Sequence, residues 1–574
     1  MQKYIFFILL STAILCAKQI PALKTSLEFS EVPVPMQDKE KRAVNASSKV
    51  TMNGVDYTIG YHTILRSGQK VGENTFGLIY DNTGHVITDT VGSVKLSHHN
   101  DFSSLIQKGK SLFMISHFET TPAAMYITQL DQNKSTGELT AVKTKNIDFS
   151  AFNGLWSPCA GSVTPWNTHL GSEEYPPDAS TIDVNGSIGM YYDPMVTYVR
   201  GDLKVLNPYD YGWIPEVEIV DEKGSVKVQK HYSMGRFSHE LAYVMPDKKT
   251  VYLADDGSNV IFYKFVADKE EDLSAGRLYA AKWIQTSAKG GGSARIKWID
   301  LGHATDAEIK QALVSRQKFT DIFTVANRKS DNTCPQGFRA SNWAYKNECL
   351  QVKKGMRSIA SRLESGRYAS MLGATSEFTK MEGITYNPIK NEIYMSMSRT
   401  EKAMEDYKYK EKPESKYDKG GNNDIRLEAR NHCGVVYKLS LAKYNVIAMT
   451  AMIQGTPMPK DANGNTCKLD NISMPDNLTF IPQTGTLIIG EDTNYHQNDM
   501  VWAYQIKSKK LTRILTAPYG AEMTSMYYYP NINGFGYLMS VVQHPYGESD
   551  RDKQKTMDER RAYTGYIGPL PLLP

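Results

Sequence analysis

Short apolar runs recur along the chain: FGLIY (76–80), HVITDT (85–90), SLFMIS (111–116), AMYITQL (124–130), TVYLAD (250–255), EIYMSMS (392–398), GVVYKLSL (434–441), TLIIGED (486–492) and VWAYQI (501–506). Clusters of Gly, Pro, Asn and Asp separate them, which predicts many short antiparallel strands. Helical spacing is confined to about 304–327 and 353–371. The stretch TSAKGGGS (286–293) reads as a flexible linker, and the charged run 401–426 as a solvated loop.

Some of these segments share one plan. Glu240, Glu382, Asp476 and Glu522 each precede an apolar strand, a turn containing Pro246, Pro388, Pro482 or Pro530, and a second strand. A unit repeated in this way predicts an all-β fold, a β-propeller with helical and loop insertions between strands. Inner strands of a propeller converge on a channel, so acids in register ring one of its mouths. Clustered carboxylates repel unless a cation neutralises them, which makes a multi-cation site the expectation and turn capping the alternative.

Composition narrows the classes. With 41 % hydrophobic and 10 % aromatic residues, the chain is too apolar for a disordered protein. Lys and Arg number 66 against 62 Asp and Glu, so no general electrostatic attraction to nucleic acid is expected. Lys3 followed by the apolar run Tyr4–Ile14 reads as a secretory signal within residues 1–22, too short for a comfortable membrane span. An N-terminal extension (23–60) is then expected, followed by one propeller domain (61–550) with insertions near 286–371 and 401–426, and a C-terminal tail (551–574).

Removing the signal takes Cys16 and leaves Cys159, Cys334, Cys349, Cys433 and Cys467. An odd count outside the cytoplasm implies an unpaired thiol. Pairing by proximity gives Cys334–Cys349 and Cys433–Cys467 and leaves Cys159. That residue opens the densest constellation of the chain, which continues through Trp166 to the adjacent Glu173 and Glu174. Oxygen ligands suit hard cations such as Ca²⁺ or Fe³⁺, and a thiolate suits a transition metal, so a site holding both is mixed. Adjacent carboxylates point to opposite sides of a strand, so a turn is needed for both to face one cluster. Other motifs fail. His239-Glu240 lacks the second histidine of a zinc-protease helix, Ser104 stands where a phosphate loop ending at Gly109-Lys110-Ser111 needs glycine, and no G-x-S-x-G occurs.

The blocks CAGSVTPWNTHLGSEEYP (159–176), YGWIPEVEI (211–219), GRFSHELAYVMPDKKTVYLADD (235–256), RYASMLGATSEFTKMEGITYNP (367–388), MPDNLTFIP (474–482) and GAEMTSMYYYP…VVQHP (520–545) resemble, in order, those of the PhoX-type alkaline phosphatases. The resemblance implies a β-propeller hydrolysing phosphate monoesters with Ca²⁺ and Fe³⁺. It implies Cys159, Glu240 and Glu382 as iron ligands, with Glu173, Glu174, Asp476 and Glu522 completing the calcium and iron shell. Lys380 and Glu174 are the implied catalytic residues, Lys380 as the phosphate-binding cation, and Glu119, Trp166, Asn477 and His544 are further pocket candidates. Arg236, Arg367 and His239 read equally well as structural partners. The family's C-A-G-G-x-T-P-W-G pattern reads C-A-G-S-V-T-P-W-N here, so Ser162 and Asn167 replace glycines. Small phosphorylated substrates, a periplasmic or secreted location, and no stable membrane anchor after signal cleavage follow from this reading. A calcium propeller acting on lactones or phosphotriesters, and a non-enzymatic binding propeller, stay open as alternatives.

Overall fold

In the computed structural model, residues 25–185, 191–405 and 416–574 are described. The expected signal segment, 1–22, lies outside them. Among the described residues, no helix is long and apolar enough to cross a membrane.

The strands form a six-bladed β-propeller. The first blade runs from Asn100–Lys108 through Ser111–Phe118 and Ala124–Gln132 to Leu139–Asn146, from channel to rim. The second begins at Ser162–Val163, the third at His239–Val244, the fourth at Met381–Asn387, the fifth at Pro475–Ile481 and the sixth at Glu522–Ile532. The third and fourth blades join into one nine-stranded sheet, because Ser293–Thr305 pairs with both Asp272–Ser287 and Asn445–Gln454. The ring closes where Gly60–Arg66 pairs with Tyr563–Leu570 in the sixth blade. This corrects the expected boundaries, since the C-terminal segment is not a tail but the third strand of the last blade.

Packing explains the pattern of the strands. Blades bury both faces against their neighbours, so Thr250–Asp255 and Thr486–Glu491 are buried at every residue. Rim strands such as Leu139–Asn146 alternate with solvent instead. Between the third and fourth blades Tyr252, Phe262, Trp283, Met395 and Tyr437 share one core, and Tyr394, Phe480 and Trp502 share the next. Each such side chain stabilises by about 1.5–3 kcal/mol.

Three local expectations change. FGLIY and HVITDT form only isolated bridges, Tyr80 with Val86 and Leu78 with Leu96 among them. The 286–293 stretch is no linker but the tip of a hairpin in which Ser287 pairs with Ser293. Of the run 401–426, residues 406–415 lie outside the described part, and Ala403, Met404, Asp418 and Ile425 are fully buried rather than solvated. The helical insertion is present as Asp306–Val314, Phe319–Ile322, Arg357–Leu363 and Ser365–Met371 around a small three-stranded sheet. Both cysteine pairs form, and Cys159 is free.

Candidate metal centre

One register irregularity recurs at the start of the inner strands. Asn100 pairs with Phe118 but Ser103 with Ser116, so one extra residue is accommodated at Asp101 and Phe102. The same slip follows His239–Asp255, Met381–Met397 and Pro475–Glu491, at Glu240, Glu382 and Asp476. In the second blade it falls between the Pro158–Glu173 bridge and the Ser162–Leu170 pair, where Cys159 lies. A bulge leaves its extra residue unpaired and turns the side chain away from the sheet, here into the channel. The sixth blade bulges later, after Thr524, and contributes Glu522 from the first position of its strand. A glycine permits the closest approach. A Cβ on Gly383 would lie 2.6 Å from the Asp476 carbonyl oxygen and 2.6 Å from the Leu478 amide nitrogen, so the residue after Glu382 has no room for a side chain.

A second ring comes from the ends of the second strands. Glu119, Glu174, Asp256, Asp492 and His544 each follow the residue that pairs opposite the start of an inner strand. Ligand-type atoms of Asp101, Glu119 and Cys159 lie within 4.8 Å of one another, as do those of Cys159, Glu174 and Glu240, and of Glu240, Asp256 and Glu382. The Cys159 thiol donates to Glu240 Oε1 at 3.4 Å, and its carbonyl oxygen is bonded to His117 Nε2. Gln543 donates to Glu119 at 2.7 Å, Ser398 to Glu382 at 2.8 Å, and His544 Nε2 lies 3.0 Å from Glu522. Asn477 Nδ2 donates to Asp476 at 2.9 Å while its oxygen accepts from the Ser525 amide. Lys380, held at φ 49°, places Nζ 2.9 Å from Asp256 and 3.3 Å from Glu382.

The electrostatics follow from crowding. Burial first, then neighbouring carboxylates, pushes Asp101 up to about 6, Glu119 to about 8 and Glu382 to about 7. The same causes hold Glu174, Glu240, Asp476 and Glu522 well above the usual carboxylate range, and burial with Asp101 and Glu240 nearby raises the Cys159 thiol. Burial alone would lower Lys380, but Asp256 and Glu382 outweigh it and raise it well above an ordinary lysine. Lys380, with Lys402 and Arg399 farther out, does not balance this many carboxyls. Asp101 Oδ1 and Asp256 Oδ1 are buried without a hydrogen-bond partner among the described residues. Uncompensated acids, orphaned oxygens and a thiol in one pocket form a donor set for hard cations together with a thiolate-binding metal.

Glu173 is not brought to this pocket. Its carboxylate accepts from the amides of Trp156, Gly212 and Trp213 at 3.0, 3.0 and 3.1 Å and pairs with Lys230 at 2.7 Å. Strand alternation sends it to the opposite side from Glu174, and no turn intervenes. Trp166 also stands apart, in the turn at the far end of its hairpin, where its indole donates to Glu216. Arg236 bonds the carbonyls of Tyr211, Pro177 and Pro208, Arg367 bonds carboxylates, and His239 bonds the Gly235 carbonyl. Asp101, Asp256 and Asp492 were missed from sequence. The acids ending LADD and IGED were a readable signal, whereas Asp101 opens a strand whose turn carries Gly109-Lys110 in place of proline.

Comparisons agree with this architecture. The fold matches Pseudomonas fluorescens PhoX in complex with vanadate, at 16 % identity and a TM-score of 0.59, covering 95 % of this chain and 98 % of that one. The Pseudomonas aeruginosa periplasmic gluconolactonase PpgL matches far less well, at 8 % identity and a TM-score of 0.31 over 80 % and 97 % of the two chains. No curated protein matches. The family description "Alkaline phosphatase PhoX" matches residues 51–545, most of the chain, and on that extent the protein belongs to the PhoX alkaline phosphatase family.

Proposed function

We propose that the protein is an exported, metal-dependent phosphatase that hydrolyses phosphate monoesters with Ca²⁺ and Fe³⁺ held at the channel mouth. The observation that carries this reading is the buried excess of carboxyls, with one thiol, gathered at the channel mouth. Cys159, Glu240 and Glu382 would hold iron, and Glu174, Asp476 and Glu522 would hold calcium, with Asp101, Glu119, Asp256 and Asp492 available to either. When bound, these cations supply Lewis-acid charge for the phosphate oxygens and for an attacking water.

Lys380 does the positioning that belongs to the chain itself. Its side chain is 22 % exposed, and Asp256 and Glu382 fix where the ammonium points. It binds a phosphate oxygen as a compact point charge without the bidentate geometry of an arginine. Asp256 and Glu382 keep the proton on Nζ, so the group remains a charge and does not act as an acid. Ser398 and Gln543 orient Glu382 and Glu119, which limits the motion needed when substrate arrives.

The test is hydrolysis of 4-nitrophenyl phosphate by the purified chain with and without a calcium chelator, alongside elemental analysis. Glu382→Ala is expected to lose iron together with about 100-fold or more of the activity while circular dichroism stays native. Full activity in that variant would sink the assignment.

A further inference from the structure

A cavity of 640 Å³ lies beside the carboxylate cluster, between the propeller and the helical insertion. Tyr175 and Asp256 line it from the propeller, and Trp343, Ala344, Tyr345 and Lys346 line it from the insertion. The propeller wall is shared with the centre. The Tyr175 hydroxyl donates to Asp256, the same carboxylate that Lys380 contacts, and the Lys380 amide donates to the carbonyl of Gly257, another lining residue, at 2.8 Å.

The cations that line this cavity are already engaged. Asp178 takes Lys346 at 2.7 Å and Arg367 at 3.1 Å, and Arg367 also engages Glu348 and Glu364, each at 2.8 Å. Arg236 is used up on backbone carbonyls. Arg236, Lys346 and Arg367 are therefore not free to take a second phosphate or a carboxylate. What the wall offers is aromatic surface. Tyr175 is 42 % exposed and Tyr345 46 %, unusually open for rings that converge on one cavity, with Trp343 beside them.

The Tyr345 ring is also held in place. Tyr417 meets it edge-on with centroids 5.4 Å apart, and Lys416 Nζ lies 5.2 Å from its centroid. The backbone beneath is strained, with Ala344, Tyr345 and Asn347 at φ 51°, 49° and 53°. A bulky side chain at positive φ is rare and persists only where the surroundings over-determine it. Here the strands Arg339–Ser341 and Glu348–Val352 and the Cys334–Cys349 disulfide bracket the turn.

We propose that this cavity is the leaving-group subsite, receiving the uncharged planar ring of an aryl or nucleoside phosphate while the phosphate lies against Lys380; the inference rests on the phosphatase reading above. Tyr345→Leu keeps bulk and removes the ring, and Tyr345→Phe keeps the ring as control. Tyr345→Leu should lower kcat/KM about 10-fold for phenyl phosphate and adenosine 5′-monophosphate, mainly through KM, and change glycerol phosphate less than about 2-fold. The larger of the first two losses identifies which ring the cavity favours. Calorimetry provides a readout that needs no turnover. The metal-loaded wild type should bind phenylphosphonate about 10-fold more tightly than propylphosphonate, and Tyr345→Leu should erase the difference. Equal losses on all three esters, no loss on any, or equal affinity for the two phosphonates would overturn the proposal. A wild type that hydrolyses no ester would instead overturn the phosphatase reading, while the phosphonate comparison still decides the cavity.

Discussion

Glu173 and Glu174 are neighbours in the chain, both buried, and they belong to opposite kinds of region. The pocket behind the second blade gives Glu173 Lys230 and three backbone amides, so every contact to its carboxylate is a donor and offsets much of the burial that still raises its pKa. The channel mouth surrounds Glu174 with further acids, Asp256, Glu240 and Glu119, and its pKa is driven up by burial and by them. Burial of charge is common to both. What separates the two is whether the protein itself supplies the compensating charge.

The largest effects should come from breaking this contrast. Glu173→Gln leaves Lys230 buried without its partner and should cost about 3–5 kcal/mol in stability, read by denaturant unfolding, with the metal content of the folded fraction unchanged. Glu174→Gln should do the reverse, lowering activity and metal content while the metal-free protein unfolds at the same or higher denaturant concentration. If both variants behaved alike, the two regions would not differ in kind.

Titration sharpens the same comparison. In metal-free protein, Glu382 and Glu119 have folded values of about 7 and about 8 against an ordinary 4.5, so the folded state binds protons more tightly than the unfolded chain. Their contribution is greatest at low pH and is lost as pH rises from about 4.5 through 8. His231, raised to about 9 by Asp306 and Glu216 against the cost of burial, adds a fall above its ordinary 6.5 that does not depend on metal. The melting temperature of chelated protein should therefore fall more steeply between about pH 5 and 8 than that of protein loaded with calcium and iron, and equal slopes would count against the cluster.

The smallest effect is expected at Asn167. Asn167 sits at φ 66° and its side chain donates to the Gln107 carbonyl at 2.9 Å, so it occupies a glycine-like conformation that asparagine tolerates. Asn167→Gly should change stability by less than about 0.5 kcal/mol and leave activity unaltered. Ser162 donates to the Ala242 carbonyl at 2.6 Å and is absorbed between blades.

Much of the fold was legible because propeller blades repeat locally. Each acid, apolar strand, proline turn and second strand can be read within some twenty residues, and Glu240, Glu382, Asp476 and Glu522 were found that way. The cysteine count isolated Cys159 without knowing where the chain would carry it. What lay beyond sequence was whatever depends on register or on distant segments meeting. Which of Glu173 and Glu174 faces the channel is decided by strand alternation around one bridge. The inclusion of Asp101 depends on a bulge, and the closing of the ring on Gly60–Arg66 finding Tyr563–Leu570. The sequence alone determined that acids would gather at one mouth of a β-propeller, because composition and period are local properties. Only the tertiary structure decided which acids are left without a counter-charge, because compensation is supplied by residues far away in the chain, such as Lys230 for Glu173.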